Sequence, residues 1–194
     1  MPLGFITNET QVNTTTSGNQ RAPATAKLPG GGYITVWASD VGDGSGKAIM
    51  GQLFAANGSK VGAEFVVNTT TAGDQDLPDV VWGLPDTGPA QIPGAIYVVW
   101  QSAEGGGSVI RARRFLEDGT PVRFIPGDPA NTPNTDVMVS GTFGGTKPAV
   151  GNYGTGRVGI VWEAPSGDGA RARSSLVRRL AIGVRRRVHV PDGA

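Results

Sequence analysis

Few side chains in this chain of 194 residues could carry out chemistry. His189 is the only histidine and cysteine is absent, so neither a Ser–His–Asp site nor a histidine- or cysteine-based zinc site fits. Glu163, which follows Trp162, is the nearest candidate for one of the paired carboxylates that a glycoside hydrolase needs. The sequence places no second acid beside it. We therefore predict a protein without enzymatic activity, with a glycoside hydrolase as the third alternative.

The loop at residues 40–46 is the one candidate metal site. Asp40, Asp43 and Ser45 offer oxygen atoms, and calcium takes roughly six to eight oxygen ligands. However, Glu104 followed by glycines stands where Asp43 would recur later in the chain, and the spacing of an EF-hand is missing. A solvated hairpin turn is the favoured interpretation. We predict no cofactor, and calcium is the alternative.

Tryptophan is the remaining residue type with a functional interpretation. Three of the four tryptophans each end an apolar run, and we expect them to pack in the core: Trp37, Trp100 and Trp162. Trp82 has no such counterpart, because Lys27 and Asn152 occupy its approximate place elsewhere in the chain. Trp82 is therefore the candidate for an exposed ring that stacks on sugars, as in a carbohydrate-binding protein.

An internal repeat organises these residues. Residues 12–23 and 67–78 share Val-Asn-Thr-Thr-Thr, then Gly, Gln and Pro, and Glu9 and Glu64 keep the same register. Each unit continues with an apolar run that ends in Trp, a Gly-rich loop and a further strand. The Trp-ending strand is apolar throughout and should be buried on both faces, whereas the further strand alternates more and should be half-exposed.

The composition favours strands over helices. The chain holds 31 glycines and 14 prolines, and both residues disrupt helices. Four short antiparallel strands per unit, with one buried inner strand, are typical of a β-propeller blade. We predict an all-β protein of tandem four-stranded antiparallel units with a partial β-propeller-like arrangement. A β-sandwich or an open β-repeat array is the alternative.

The repeats predict the domain organisation. A β-repeat region spans residues 1–173, with units at about 3–61, 62–122 and 123–173, and an Arg-rich tail follows at 174–194. The repeat pattern stops after Arg173. Two interpretations of the tail compete: an out-of-frame end of the gene, or a basic amphipathic helix whose apolar residues lie four apart. Those residues are Leu176, Leu180, Val184 and Val188.

Charge and hydropathy exclude two classes of partner. Residues 171–194 hold seven of the 17 basic residues and one of the 16 acids, so the remainder has ten basic and fifteen acidic groups and a net charge of −5. An acidic body of this kind does not favour nucleic-acid binding. No apolar stretch approaches the roughly twenty residues of a membrane-spanning helix. The first residues also lack the basic and apolar regions of a signal peptide.

The order of motifs is similar to a known repeat. The chain contains Val-Asn-Thr-Thr-Thr-Ala-Gly-Asp-Gln at 67–75, an apolar run ending in Val-Trp, Asp-Gly-Ser-Gly at 43–46 and Gly-Gln-Leu-Phe at 51–54. These motifs resemble repeats of large bacterial secreted and surface proteins. Those proteins often also carry RTX (haemolysin-type) calcium-binding nonapeptides. The resemblance covers roughly residues 9–173, but the Gly-Gly-x-Gly-x-Asp nonapeptide is absent, so calcium binding by that mechanism is not implied.

The resemblance implies an adhesin-like protein at the cell surface or outside the cell. We therefore expect a structural or interaction module whose partners are other repeat units or domains of a larger protein. A carbohydrate-binding propeller, with glycans as partners, is the alternative. An isolated chain of three units should expose an unpaired strand edge and form oligomers or aggregates.

Overall fold

A computed structural model describes residues 9–86, 92–125, 132–141, 144–164 and 171–178. The regular structure consists almost wholly of antiparallel strands in three successive sheets, which confirms the predicted all-β class. Sheet 1 contains β1 (Gln20–Lys27), β2 (Tyr33–Ser39), β3 (Ala48–Phe54) and β4 (Lys60–Val66). Sheet 2 contains β5 (Gln75–Gly83), β6 (Ala95–Glu104), β7 (Gly107–Phe115), β8 (Pro121–Val122) and β9 (Val137–Met138). Sheet 3 contains β10 (Thr146–Asn152), β11 (Arg157–Ala164) and β12 (Arg171–Arg178).

The sheets follow one another along the chain and contact each other. The strands pair in chain order, except that β9 pairs with β7, and the first strand β5 of sheet 2 contacts both β1 of sheet 1 and β10 of sheet 3. The predicted antiparallel sheets in tandem are confirmed, and the partial β-propeller-like arrangement stays a prediction.

Apolar side chains between the sheets form the core. One cluster joins sheets 1 and 2 and includes Ile34, Val36, Val98 and Trp100, all fully buried. A second cluster joins sheets 2 and 3 and includes Ile160. The second strand of each sheet supplies residues to these clusters. Burial of an aliphatic side chain of this size stabilises the fold by roughly 1.5–3 kcal/mol, so the inter-sheet contacts are a principal source of stability.

Burial along the strands corrects two expectations. β2 and β6 are covered on both faces, as predicted for the Trp-ending strands, but the third such strand, β11, alternates between buried and exposed residues. β3 is buried along its whole length, whereas its alternating sequence predicted half-exposure. β3 lies between β2 and β4 and contributes Ile49 and Leu53 to the cluster between sheets 1 and 2. Its polar residue Gln52 is fully buried and donates its amide hydrogens to the carbonyls of Leu53 and Val61. Hydrogen bonding to the backbone makes a polar residue acceptable there.

The fourth strand of sheet 2 is split. Both β8 and β9 pair with β7, at the positions where the continuous strand β4 pairs with β3. Residues 123–136 separate β8 from β9 in the chain, whereas residues 62–64 separate the equivalent pairs of sheet 1. β9 pairs with sheet 2, although the predicted unit boundary at 122–123 assigns its residues to the third unit.

The described part of the tail is a strand, which contradicts the helical interpretation at those residues. The repeat pattern ends at Arg173, but β12 continues to Arg178 and pairs with β11 along its whole length. Leu176 therefore lies in a strand and not in a helix. Leu180, Val184, Val188 and the single histidine, His189, lie outside the described residues.

A strained bulge recurs in the first strand of every sheet. β1 and β5 each shift register directly after their second residue, and β10 shifts after its first. At the shift, a non-glycine residue that precedes a proline adopts a left-handed backbone conformation. These residues are Ala22 (φ 50°), Leu77 (φ 52°) and Lys147 (φ 49°). Such a φ brings Cβ too close to the following carbonyl oxygen, so the same local strain is stored three times.

Leu77→Gly tests this strain. We expect the substitution to raise the free energy of unfolding by about 1 kcal/mol, because glycine has no Cβ to clash at positive φ and the Leu77 side chain is 39% exposed. Urea denaturation measures the change. Leu77→Ala is the control, since it removes the same side chain but keeps Cβ. Equal stability of the two variants would contradict the strain.

Candidate functional site

The most elaborate polar site in the described chain holds the peptide between sheets 1 and 2. The carboxylate of Asp136 accepts hydrogen bonds from the amides of Thr69 and Thr70, each at 2.8 Å, and from the Thr70 hydroxyl at 2.9 Å. The Asp136 amide in turn donates to the Thr69 hydroxyl at 2.9 Å. Asp136 is buried, with 2% of its side chain exposed. We call this arrangement of one carboxylate and two threonines the carboxylate clamp.

Sheet 1 contains an equivalent carboxylate clamp. Glu64 accepts hydrogen bonds from the amides of Thr14 (2.7 Å) and Thr15 (3.0 Å) and from the Thr15 hydroxyl. Glu64 precedes Phe65, which pairs with the third strand at the position that Val137 has after Asp136. Each clamp therefore fastens the segment that enters a sheet to the last strand of the same sheet.

Two further charges complete the clamp of sheet 2. The guanidinium of Arg111 donates to Asp136 at 2.7 Å and makes a bidentate contact with Glu104, at 2.5 and 2.9 Å. Burial opposes ionisation of Asp136, but hydrogen bonds from Thr70 and Thr69 and the charge of Arg111 hold its pKa below the usual value. The hydrogen bond from Arg111 likewise lowers the pKa of Glu104. The site is therefore a paired, charged network at neutral pH.

The peptide between sheets 1 and 2, the linker at residues 67–70, is also bound to sheet 1, through Val67 and Asn68. The Val67 amide donates to the Ile49 carbonyl at 2.7 Å, and the Ile49 amide donates to the Asn68 side-chain oxygen at 2.8 Å. Arg113 of sheet 2 donates to the Val67 carbonyl at 2.8 Å. The linker at residues 67–70 thus forms hydrogen bonds with both sheet 1 and sheet 2.

The linker to sheet 3 repeats the contact with the preceding sheet. The Val139 amide donates to the Ile110 carbonyl at 2.7 Å, and the Ile110 amide donates to the Ser140 hydroxyl at 3.0 Å. Ile110 pairs with Gln101 as Ile49 pairs with Ala38, so the two sites are equivalent. Ser140 performs the role of Asn68 with a shorter side chain.

Ion pairs add a second contact between sheets 1 and 2. Arg21 of β1 lies 2.6 Å from Asp40 and 3.7 Å from Asp76, which belongs to β5. Lys47 contacts Asp76 at 2.8 Å and Asp74 at 3.2 Å. The hydrogen bond to Asp76 raises the pKa of Lys47. These groups are partly exposed, so each pair contributes little to stability.

The candidate calcium ligands have protein partners. Asp40 accepts hydrogen bonds from Asn19 and Arg21, and the Asn19 amide is the main reason that its pKa is lowered. The two oxygens of Asp43 accept from the Ser45 amide and from the Asn68 side chain. Among the described residues, no three carboxylate or histidine side chains gather as a metal-binding group. The absence of a cofactor stays a prediction, with calcium as the alternative.

Trp82, the candidate sugar-stacking residue, is half-buried. Its ring packs against the cluster between sheets 1 and 2, and a Cβ at Gly94 would lie 2.4 Å from Trp82 Cζ2. The register places Trp82 opposite Ile96, as Lys27 lies opposite Tyr33 and Asn152 opposite Val158. The role of Trp82 in ligand binding stays a prediction.

The remaining sequence candidates have structural surroundings. The three tryptophans predicted for the core are buried: Trp37, Trp100 and Trp162. Glu163 is half-exposed and contacts Lys147 at 3.1 Å. The glycoside hydrolase alternative stays a prediction. No helix in the described part of the chain is long and apolar enough to cross a membrane.

Sequence reasoning did not identify the carboxylate clamps. The repeated Asn-Thr-Thr at 13–15 and 68–70 and the register of Glu9 with Glu64 were the available signal. Asp136 lies beyond the inserted segment and differs in type from Glu64, so its equivalence emerges only from the strand register. No protein-family model matches the chain, and no curated protein matches it either.

Asp136→Asn tests the clamp of sheet 2. We expect a loss of about 3 kcal/mol in the free energy of unfolding, because the amide replaces an acceptor with a donor that faces other donors and breaks a buried ion pair. Asp118→Asn is the matched control: the exposed Asp118 accepts from the Thr120 amide in a turn that asparagine also suits. Urea denaturation compares both with the parent chain. Equal losses would refute a special role for Asp136.

The clamps also predict acid sensitivity. Burial opposes ionisation of Glu64 and Asp136, but their hydrogen bonds outweigh it, so the pKa of each is lower in the folded chain than in the unfolded one. Their contribution is therefore complete above the unfolded pKa and is lost as the pH falls through the lowered folded pKa. We expect the free energy of unfolding to decline below about pH 4.5, less steeply in Asp136→Asn. Denaturant titrations between neutral and acidic pH measure both slopes. Identical slopes would refute the role of Asp136.

Proposed function

We propose that the chain is a non-enzymatic structural and interaction module of a bacterial extracellular or surface protein. Its function would follow from the fixed spacing of similar sheets that hold or display other domains of a larger protein. The observation that carries the proposal is the linker at residues 67–70, which is bound on one side to sheet 1 and on the other to sheet 2. Such a linker transmits position and orientation from one sheet to the next.

The charged groups support a mechanical role more than a catalytic one. Arg111 and Asp136 each contact several protein groups, so they are occupied in holding sheet 2 to its linker. Glu163, the residue that an enzymatic interpretation requires, is instead half-exposed and paired with a lysine. Catalytic carboxylates are typically placed where desolvation or a second acid shifts the pKa. We therefore favour the structural interpretation over a hydrolase.

The extracellular and adhesive parts of the proposal come from the sequence resemblance. Repeated, similar sheets would present repeated surfaces, and several weak contacts made together bind more strongly than one. The partners would be neighbouring repeat units and domains, with glycans as the partner of the lectin alternative. Trp82 carries that alternative, and its partial burial gives it less support than the structural one.

Energy transfer between dyes on sheets 1 and 3 tests the proposed rigidity. Cysteines introduced at the exposed positions Ala56 and Thr155 are the only thiols in the chain and can be labelled selectively. Labelled chain diluted into unlabelled chain reports intramolecular distances alone. We expect a narrow distance distribution, which Asp136→Asn broadens and the control Asp118→Asn does not, because Asp136 binds the linker and Asp118 does not.

Three outcomes would count against this function. A broad distance distribution in the parent chain would mean that the sheets move independently and cannot set a spacing. Turnover of fluorogenic glycosides that disappears in Glu163→Gln would establish the hydrolase. Selective binding on a glycan array that is lost in Trp82→Ala, while Trp82→Phe retains it, would establish the lectin.

A further inference from the structure

The segment at residues 9–13 resembles the end of a sheet, although it lies before the first one. Glu9 has the register of Glu64, and Val12-Asn13 has the register of Val67-Asn68. In sheet 1 the corresponding segment forms the end of β4 and its contact with β3. Residues 9–13 therefore carry the sequence of a fourth strand that has no first three strands before it in the described chain.

The structure leaves this segment exposed and outside any strand. Residues 9–11 are exposed, and residues 12 and 13 are half-buried. The Asn13 side chain donates to the Thr15 carbonyl at 2.7 Å, as Asn68 donates to the Thr70 carbonyl at 3.0 Å. Its local conformation is thus that of a bound linker. Within the described residues, however, neither the Val12 amide nor the Asn13 side-chain oxygen has the partner that Ile49 gives to Val67 and Asn68.

Sheet 3 has the opposite deficiency. Its third strand β12 pairs with β11 and, within the described residues, with no fourth strand, whereas β3 and β7 both have one. Ala172 lies opposite Glu163 in the register that Ile49 and Ile110 have in the other sheets. It is therefore the equivalent docking position. Unpaired strand edges of this kind are sites at which an extended peptide adds to a sheet.

Burial shows that the outer face of sheet 3 is uncovered as well. Val161 is 48% exposed, whereas its equivalents Val36 and Val99 are fully buried by the sheet that follows them. An interface of the kind seen between sheets 1 and 2 would therefore continue from this face. The matching element in the same chain, residues 9–13, lies on sheet 1, because Thr14 and Thr15 are held by Glu64. Sheet 2 separates the two.

We propose that residues 9–13 of one chain add as the fourth strand to β12 of a second copy. This inference rests on the proposed function as a repeat module and names its partner. By register, the Val12 amide would donate to the Ala172 carbonyl and the Ala172 amide to the Asn13 side-chain oxygen. Gln11 would lie opposite Arg173 of the second copy, as Val66 lies opposite Met50.

The contact is head-to-tail, so every chain in the assembly uses both surfaces. Such a heterologous contact closes into a ring when the rotation allows it and otherwise continues as a filament. A ring of two chains would contain six sheets. The unpaired edge of β12 and the exposed face at Val161 would then be covered in each chain, which reduces the aggregation hazard of an open array.

Disulfide trapping between two single-cysteine variants tests the pairing. Opposite residues of antiparallel strands have Cα atoms about 4.5–5.5 Å apart, within the range of a disulfide. We expect a mixture of Gln11→Cys and Arg173→Cys to form the mixed dimer on mild oxidation. The control mixture pairs Gln11→Cys with Arg157→Cys, which lies beside Arg178 at the far end of β12. The matched pair should give at least about tenfold more mixed dimer than the control, because strand pairing raises the local concentration of its thiols.

Light scattering on the parent chain accompanies the trapping, with dimers or longer assemblies as the expected result. A monomer together with equal trapping in both mixtures would overturn the proposal. A double variant, Gln11→Cys with Arg173→Cys, that forms an internal disulfide as a monomer would overturn it in favour of closure within one chain. The proposed function is judged separately, since energy transfer within one chain reports rigidity whether or not chains associate.

Discussion

The peptides that enter sheets 1 and 2 present amide groups that hydrogen-bond to a side-chain carboxylate and not to a strand. A carboxylate suits this role, because its two oxygens accept several hydrogen bonds at once. Glu64 does so for the amides of Thr14 and Thr15 at the edge of the molecule. Asp136 does so for Thr69 and Thr70 between two sheets, where its burial makes a neutralising partner necessary. Arg111 supplies that charge, and Glu104 completes the network.

The position of each sheet determines how its strands are buried. Val36 of sheet 1 and Val99 of sheet 2 are fully covered because another sheet follows, and the sequence of both strands is apolar on both faces. β11 of sheet 3 alternates between buried and exposed residues because only sheet 2 packs against it. Inter-sheet packing, not the intrinsic preference of each strand, therefore sets the pattern of exposure.

The sequence predicted the fold better than the site. The recurring tryptophans and turns located the second and third strands, because a buried strand imposes a local apolar pattern. The clamp could not be derived in the same way, since Asp136 and Thr69 are 67 residues apart and meet only after three strands have paired. The split fourth strand had a similar cause: β9 is two residues long, too short to give a pattern. The full burial of Gln52 likewise depends on carbonyl groups that only the folded strands bring near.

At the bulges before the three prolines, the backbone conformation recurs while the side chain differs. The turn of the chain is enforced by register and by the rigid proline, while the residue at the positive φ differs each time: Ala22, Leu77 and Lys147. Leu77 and Lys147 are exposed. Sequence change at this position therefore alters the surface without altering the scaffold. A longer array with the same fold would carry one such variable side chain per sheet. These positions could differ in sequence from sheet to sheet, or be substituted to display engineered ligands.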